Sequence, residues 1–171
     1  HALVESEYNT RRAECEQGVR LLQAVLPGVR SLRDVTPPVV NAERERLPGK
    51  IYQRCLFVTE ENQRVEAACA ALEANDAEAF GALLYQSHEG LQHLYEVSCP
   101  ESDFLVDQTR SDTNVLGARQ MGGGFGGCTL NLLRKDYLAE FEEKMRRAYL
   151  EAFNRKLVCH EVRITNGVEL V

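Results

Sequence analysis

The residues with the clearest chemical potential are Gly122, Gly123, Gly124, Phe125, Gly126 and Gly127. Five glycines in six positions raise the entropic cost of ordering the chain, and an ordinary hairpin does not require them all. Glycine lets backbone amides approach an anion closely and adopt positive φ angles, so a nest of such amides suits a phosphate. The pattern G-x-G-x-x-G fits Gly122, Gly124 and Gly127, but a dinucleotide fold needs a strand before it and a helix after it. Here a strand pattern follows at Cys128 to Leu133, so that reading is rejected. The nucleotide P-loop also fails, because no Gly-Lys-Ser/Thr closes the run. On residue chemistry alone, a flexible strand connection and a phosphate-facing loop remain equal alternatives.

Other polar residues give weaker signals. Arg11 and Arg12 have forks suited to phosphate, yet within one helical turn they also meet Glu14 and Glu16. The surface reading is preferred for both, and Arg119 is similarly ambiguous. His88 and His93 are five apart, not the four that stacks a metal pair on a helix. A solvated or core-satisfied histidine is therefore expected at His88. Ser87 has no base arranged beside it, His160 has no catalytic neighbour in sequence, and no catalytic or metal-ligating residue is assigned.

Helices and strands must position these residues. Cys15, Val19, Leu22 and Leu26 recur on one helical face, predicting a helix over Glu7 to Leu26 that Pro27-Gly28 ends. Val29 to Gly49 holds three prolines and reads as a connecting segment. Ile51, Cys55, Val58, Val65, Cys69 and Leu72 predict a second helix. Asn75 with Glu78 reads as a capping box for a third, with Phe80, Leu83, Ser87, Leu91 and Leu94 on its face. Ser98, Pro100 and Glu101 start a short fourth helix. A strand at Val115 to Gln120 and one at Cys128 to Leu133 flank the glycines. Asp136 is expected to cap a helix with Phe141, Met145, Ala148 and Ala152 inward, and Val158, His160, Val162 and Ile164 alternate as a last strand before the Asn166-Gly167 turn. Helices followed by turn-linked strands predict an α+β class, with an antiparallel sheet and helices on one face.

The 171 residues suffice for one domain with a real core. A net charge of −6 argues against nucleic acid as a partner, and no apolar run reaches the roughly 20 residues of a membrane helix. The six cysteines lack metal-ligand spacing and read as buried free thiols in a reducing cytoplasm. The start at His1, not Met, is expected of a fragment or a trimmed chain.

Three stretches carry a resemblance. Gly117-Ala118-Arg119-Gln120-Met121 with the glycine run and Cys128-Thr129 resembles the third conserved motif of galactokinases, within the GHMP kinase family. Ser87-His88-Glu89-Gly90-Leu91 leading into Tyr95-Glu96-Val97-Ser98-Cys99-Pro100-Glu101 is similar to a second family stretch, and Ser6 to Arg12 to another. Gln120-Met121 departs from the Met-Thr of many members, and Gly90 stands where serine is common. The resemblance implies a C-terminal, ferredoxin-like α+β lobe spanning residues 1–171, with the N-terminal catalytic half absent. It implies transfer of the ATP γ-phosphoryl to the anomeric hydroxyl of galactose, with Mg²⁺, in a cytoplasmic enzyme that is a monomer when full length. It implies Tyr8 as a galactose contact, and gives residues 122–127 the nucleotide-phosphate side. The family's own phosphate loop, its Glu-His-Thr-Asp signature and its catalytic aspartate belong to the other half, so the fragment alone is expected to be inactive and to hold no ATP or Mg²⁺ by itself. Kinases of N-acetylgalactosamine or arabinose, and a non-catalytic sugar sensor, are the alternatives.

Overall fold

The apolar stripe of the first segment becomes helix α1, Ala2–Gln23, in a computed structural model that describes residues 2–162. Its buried Leu22 faces helix α3, Gly49–Glu73. The two helices approach at Gly18, where a Cβ would lie 2.1 Å from Cys55 Sγ. The segment between them is more than a connector. It contains a 3₁₀ turn at Leu32–Asp34, closed by a Ser31–Asp34 capping box, and helix α2, Pro37–Ala42, with proline in its first turn. Val29, Leu32, Val35, Val40 and Leu47 from this stretch bury themselves against Leu22, Ile51 and Cys55. At about 1.5–3 kcal/mol per fully buried aliphatic side chain, the segment supplies much of that cluster's stabilisation. Val65 and Leu72, expected inward on α3, are instead 57% and 53% exposed, so the apolar stripe outruns the part of α3 that is covered.

Asn75, expected as a cap, instead ends α3 in the left-handed region at φ 54°, and Asp76 caps helix α4, Ala77–Glu89, by accepting the Ala79 amide at 2.9 Å. Aspartate suits the extended cap position, whereas asparagine tolerates positive φ. The predicted third helix then splits. α4 passes into a π-helical turn at Gly90–Tyr95, closed by Glu96 at φ 54° and by the Val97 amide on the Leu91 carbonyl. At helix α5, Pro100–Asp107, the cap position falls on Cys99 rather than Ser98. Ser102 Oγ takes the Cys99 amide, and the Ser98 hydroxyl goes to Asp103.

Strands β1, Val115–Met121, and β2, Cys128–Leu133, pair antiparallel from Met121–Cys128 to Val115–Leu133. This gives the α+β class with a two-stranded sheet among the described residues. β1 lies against α4 at Gly81 and Gly117, where a Cβ on either would come within 2.2 Å of a backbone oxygen of the other element.

The chain divides into two compact units, one ending at Arg134 and one starting at Lys135. The second contains helix α6, Leu138–Phe153, which Asn154 ends in the left-handed region. Phe141 and Met145 are buried as expected, but Ala152 is exposed. Asp136 lies within a 3₁₀ turn, Lys135–Tyr137, and the residue at the start of α6 is Tyr137, with no side-chain cap. The expected last strand does not form over Val158, His160 and Val162, which run as irregular chain with Val158 and Val162 68% and 75% exposed. Alternation chooses which side chains share a face, but a strand also needs a neighbouring strand for its N–H and C=O groups, and the one described sheet holds only β1 and β2. Ile164, Asn166 and Gly167 lie outside the described residues, as does His1. The cysteines are free, but only Cys55 is buried, whereas Cys69 and Cys128 are exposed. Burial, then the Cys15 thiol beside it, pushes the Cys55 thiol up to about 12. Among the described residues no helix is long and apolar enough to cross a membrane.

Candidate functional site

The glycine run forms the six-residue connection between β1 and β2, longer than most hairpin loops. Its residues differ in what the fold demands of them. Gly124 has φ +96°, and a Cβ there would lie 2.6 Å from the Val97 carbonyl oxygen, so only glycine fits. Gly123 has no positive φ and no atom of the described residues within 4 Å of a would-be Cβ, so no described residue requires glycine there. Phe125 is held at φ 59°, a region that bulky residues avoid. Its amide donates to the Val97 carbonyl at 2.7 Å, and its ring packs with Phe57, Leu91 and Val97. Strain over-determined in this way is typical of functional loops.

The loop tip is tied to α1 by Arg11. Its guanidinium lies 5.8 Å from the centre of the Phe125 ring and donates to the carbonyls of Tyr95 at 2.7 Å and Glu96 at 2.9 Å. Glu7 and Glu14 flank it at 3.2 and 3.7 Å. Arg11 is thus buried, contrary to the surface expectation, because carbonyls more than 80 residues away take its donors. Arg12 does sit on the surface, 2.9 Å from Glu16.

Arg54, 1% exposed, forms the second support. It donates to Glu14 at 2.8 Å, to Glu96 at 2.7 Å and to the Leu94 carbonyl. Burial opposes its charge, but the hydrogen bonds it donates to Glu96 and Glu14 outweigh that penalty, so its pKa is raised. The contacts of Glu96 with Lys50 and then Arg54 hold its carboxyl down at about 2. Sequence reasoning missed Arg54 and Glu96. Arg54 sits at a helix position one residue from Cys55, and its only local signal was a cation beside the apolar stripe.

Tyr8 is 58% exposed one turn before Arg11, at the mouth of a groove of about 970 Å³ that Arg12, Cys15, Glu16 and Tyr95 also line. The Tyr95 hydroxyl lies 3.8 Å from Cys15 Sγ, and burial raises its pKa. Arg119, at the base of the loop, donates to the Gln120 carbonyl at 2.9 Å and reaches Glu61 at 3.4 Å. Ser87 gives its hydroxyl to the same Glu61 at 2.5 Å, a structural bond and not a nucleophile–base pair. His88 is fully buried, the core option, with Nδ1 hydrogen-bonded and Nε2 left beside Asp103, whereas His93 and His160 are exposed. No group of three or more His, Cys, Asp or Glu among the described residues is arranged to hold a metal.

The arrangement therefore ties the glycine loop to α1 through Arg11, with Tyr8 one turn earlier on the same helix. Comparison with known proteins gives the chain a family. Residues 68–151 match the model of the GHMP kinases C terminal family. A galactokinase of Thermotoga neapolitana is 42% identical over 171 residues, covering all of this chain and 46% of that protein. A Roseiflexus galactokinase is 40% identical over 97% of this chain and 42% of its own length. The crystal structure of Lactococcus lactis galactokinase complexed with galactose superposes with a TM-score of 0.86 at 32% identity, covering 91% of this chain and 40% of that one. The chain spans about half the length of the curated relatives it matches. Its sequence likeness from end to end and its shared three-dimensional course show that it belongs to the GHMP kinase family, as a C-terminal domain of galactokinase type.

Proposed function

We propose that residues 1–171 serve as the C-terminal lobe of a sugar kinase that transfers the ATP γ-phosphoryl to the anomeric hydroxyl of galactose. The observation that carries this reading is Gly123. Its glycine is required by no described residue, which is the expected pattern where a ligand or an opposing loop approaches the backbone. The amides of residues 122–127 form one wall of a phosphate cradle, as glycine nests do. Tyr8 presents an exposed phenol that can pack on a sugar and exchange a hydrogen bond with one of its hydroxyls. Arg11 fixes the spacing between these two features through Phe125.

In the reaction the anomeric oxygen forms a bond to the γ-phosphorus, the bond to the ADP oxygen breaks, and the hydroxyl proton leaves to a base. We assign that base and the metal ligands to the other half of a full-length protein, which in the proposed assembly closes the cleft. Mg²⁺, carried with ATP, supplies charge neutralisation on the phosphates. The residues described here supply backbone donors and sugar orientation. A cytoplasmic monomer is the form this reading favours.

The test is a coupled assay of the full-length protein with ATP, Mg²⁺ and galactose. Galactose-dependent ADP release is expected, and the 171-residue chain alone should give none above a mock preparation. A full-length Gly126→Val variant should lose at least about tenfold in kcat, or about 1.4 kcal/mol of transition-state stabilisation. Normal turnover in that variant would overturn the loop assignment.

A further inference from the structure

His88 stands at the end of α4 with 0% exposure, and its two ring nitrogens face different elements. Nδ1 accepts the Gln120 amide of β1 at 3.2 Å, so Nδ1 is the unprotonated nitrogen. Nε2 therefore carries the hydrogen, and it lies 3.2 Å from Asp103 Oδ1 on α5, close enough for an ion pair but without a hydrogen bond between them. Gln120 is itself fully buried. Its side-chain Nε2 donates to the Val97 carbonyl at 3.1 Å, and its Oε1 lies 2.8 Å from Ser102 Oγ. The same Val97 oxygen accepts the Phe125 amide. One carbonyl thus takes a donor from the base of the glycine loop and a donor from its tip, and Gly124 sits against it with no room for a Cβ.

We propose that His88 is a positioning residue for the glycine loop: its unprotonated Nδ1 holds the end of β1 through the Gln120 amide, and Gln120 and Val97 pass that constraint to Phe125. The catalytic consequence rests on reading the loop as phosphate-facing, whereas the tie itself does not. The backbone part of this tie needs no particular side chain at position 120, whereas the reach to Val97 needs the Gln120 side-chain amide. The groups around the imidazole are Asp103, Asp107 and Arg110, with uncharged Gln120 on the β1 side. Burial favours the neutral ring against the pull of Asp103. Protonation places a hydrogen on Nδ1 and turns the acceptor into a donor facing the Gln120 amide.

The experiment uses the full-length protein and follows hydrogen exchange at the amides of residues 122–127 together with kcat and the KM values for ATP and galactose. His88→Leu removes the acceptor, and His88→Asn keeps one near the position of Nδ1. His88→Leu should speed exchange at the Phe125 amide and lower kcat at least about tenfold, with a KM change for ATP rather than for galactose. His88→Asn should restore both to within about threefold of wild type. If His88→Leu does not fold, the pH response decides. Wild-type loop exchange, corrected for intrinsic rate, should rise as pH falls below the ordinary histidine value of 6.5, and that rise should be absent in His88→Asn. Unchanged loop exchange in a folded His88→Leu, or an identical pH response in wild type and His88→Asn, would overturn the tie. A loosened loop with normal turnover would uphold the tie and sink the phosphate-facing reading instead.

Discussion

Two glycine-bearing regions sit on the same strand and carry opposite demands. Where β1 crosses α4, Gly81 is required by Leu116 and Gly117 by the backbone of Gly81, and every atom that excludes a side chain belongs to the chain. At the far end of β1, Gly122, Gly123 and Gly126 have open space where a side chain would go. The first region explains its glycines by packing. In the second, Gly122, Gly124, Gly126 and Gly127 have positive φ, and Gly123 is the one glycine that neither packing nor backbone conformation explains. Glycine content alone therefore does not identify a ligand loop, whereas an open glycine without a conformational need points outward from the chain.

Substitutions can break or sharpen that contrast. The largest effect is expected at the crossing. Gly81→Val places atoms against the Leu116 carbonyl and should cost about 3 kcal/mol or more, because backbone rather than a side chain must move. A urea midpoint close to wild type would show that the crossing is softer than its distances imply. Gly124→Ala comes next. A left-handed backbone and a close approach to Val97 should together cost about 2 kcal/mol, and turnover of the full-length protein should fall with it. Stability loss without loss of turnover would place Gly124 with Gly81 and not with the loop.

Gly123→Ala is the sharpest comparison. Its melting temperature should stay at the wild-type value, while kcat drops about tenfold, equivalent to about 1.4 kcal/mol. An active Gly123→Ala protein would remove the main argument for an external ligand. Tyr8→Phe should be smaller still, at about 0.5–1.5 kcal/mol, the worth of one neutral hydrogen bond, and confined to the KM for galactose. Equal effects on ATP and galactose would make Tyr8 a packing residue.

The smallest expected effect is the response to acid. Glu96 has a folded value near 2, below the ordinary 4.5, so its contribution is complete above 4.5 and lost as pH falls toward 2. The shift is depressed, so protonation favours the unfolded chain. The carboxylate is 38% exposed, and solvent screens much of the gain. His88 acts in a higher window. Its folded value lies below 6.5, so its contribution is present above 6.5 and declines as pH falls below it. Acid titration of Glu96→Gln should lose the lower window and keep the upper one. A titration identical to wild type would show that Glu96 is unimportant to the support beneath the loop.

Much of this was legible in the chain. The four-three spacing of Cys15, Val19 and Leu22, and of Ile51, Cys55 and Val58, marked α1 and α3, because a helix repeats its buried face locally. The glycine run and the alternation after Cys128 marked the β1–β2 hairpin. The segment after Val29 was less legible. Its prolines read as a connector, yet its short turns deliver Val35, Val40 and Leu47 to the core, and turns that short carry no period to detect.

By itself the sequence determined the long helices and the β1–β2 hairpin, the class they build, and the place of the glycine loop. The tertiary structure alone decided which polar side chains hold that loop. Arg11 became a buried anchor and not a surface cation because Tyr95 and Glu96 bring their carbonyls to it. His88 acquired a defined tautomer because β1 presents the Gln120 amide. A charge or an imidazole can be buried only where partners compensate its lost water, and here those partners lie 32 to 85 residues away. Local spacing does not encode such pairings, because they exist only after the chain has folded.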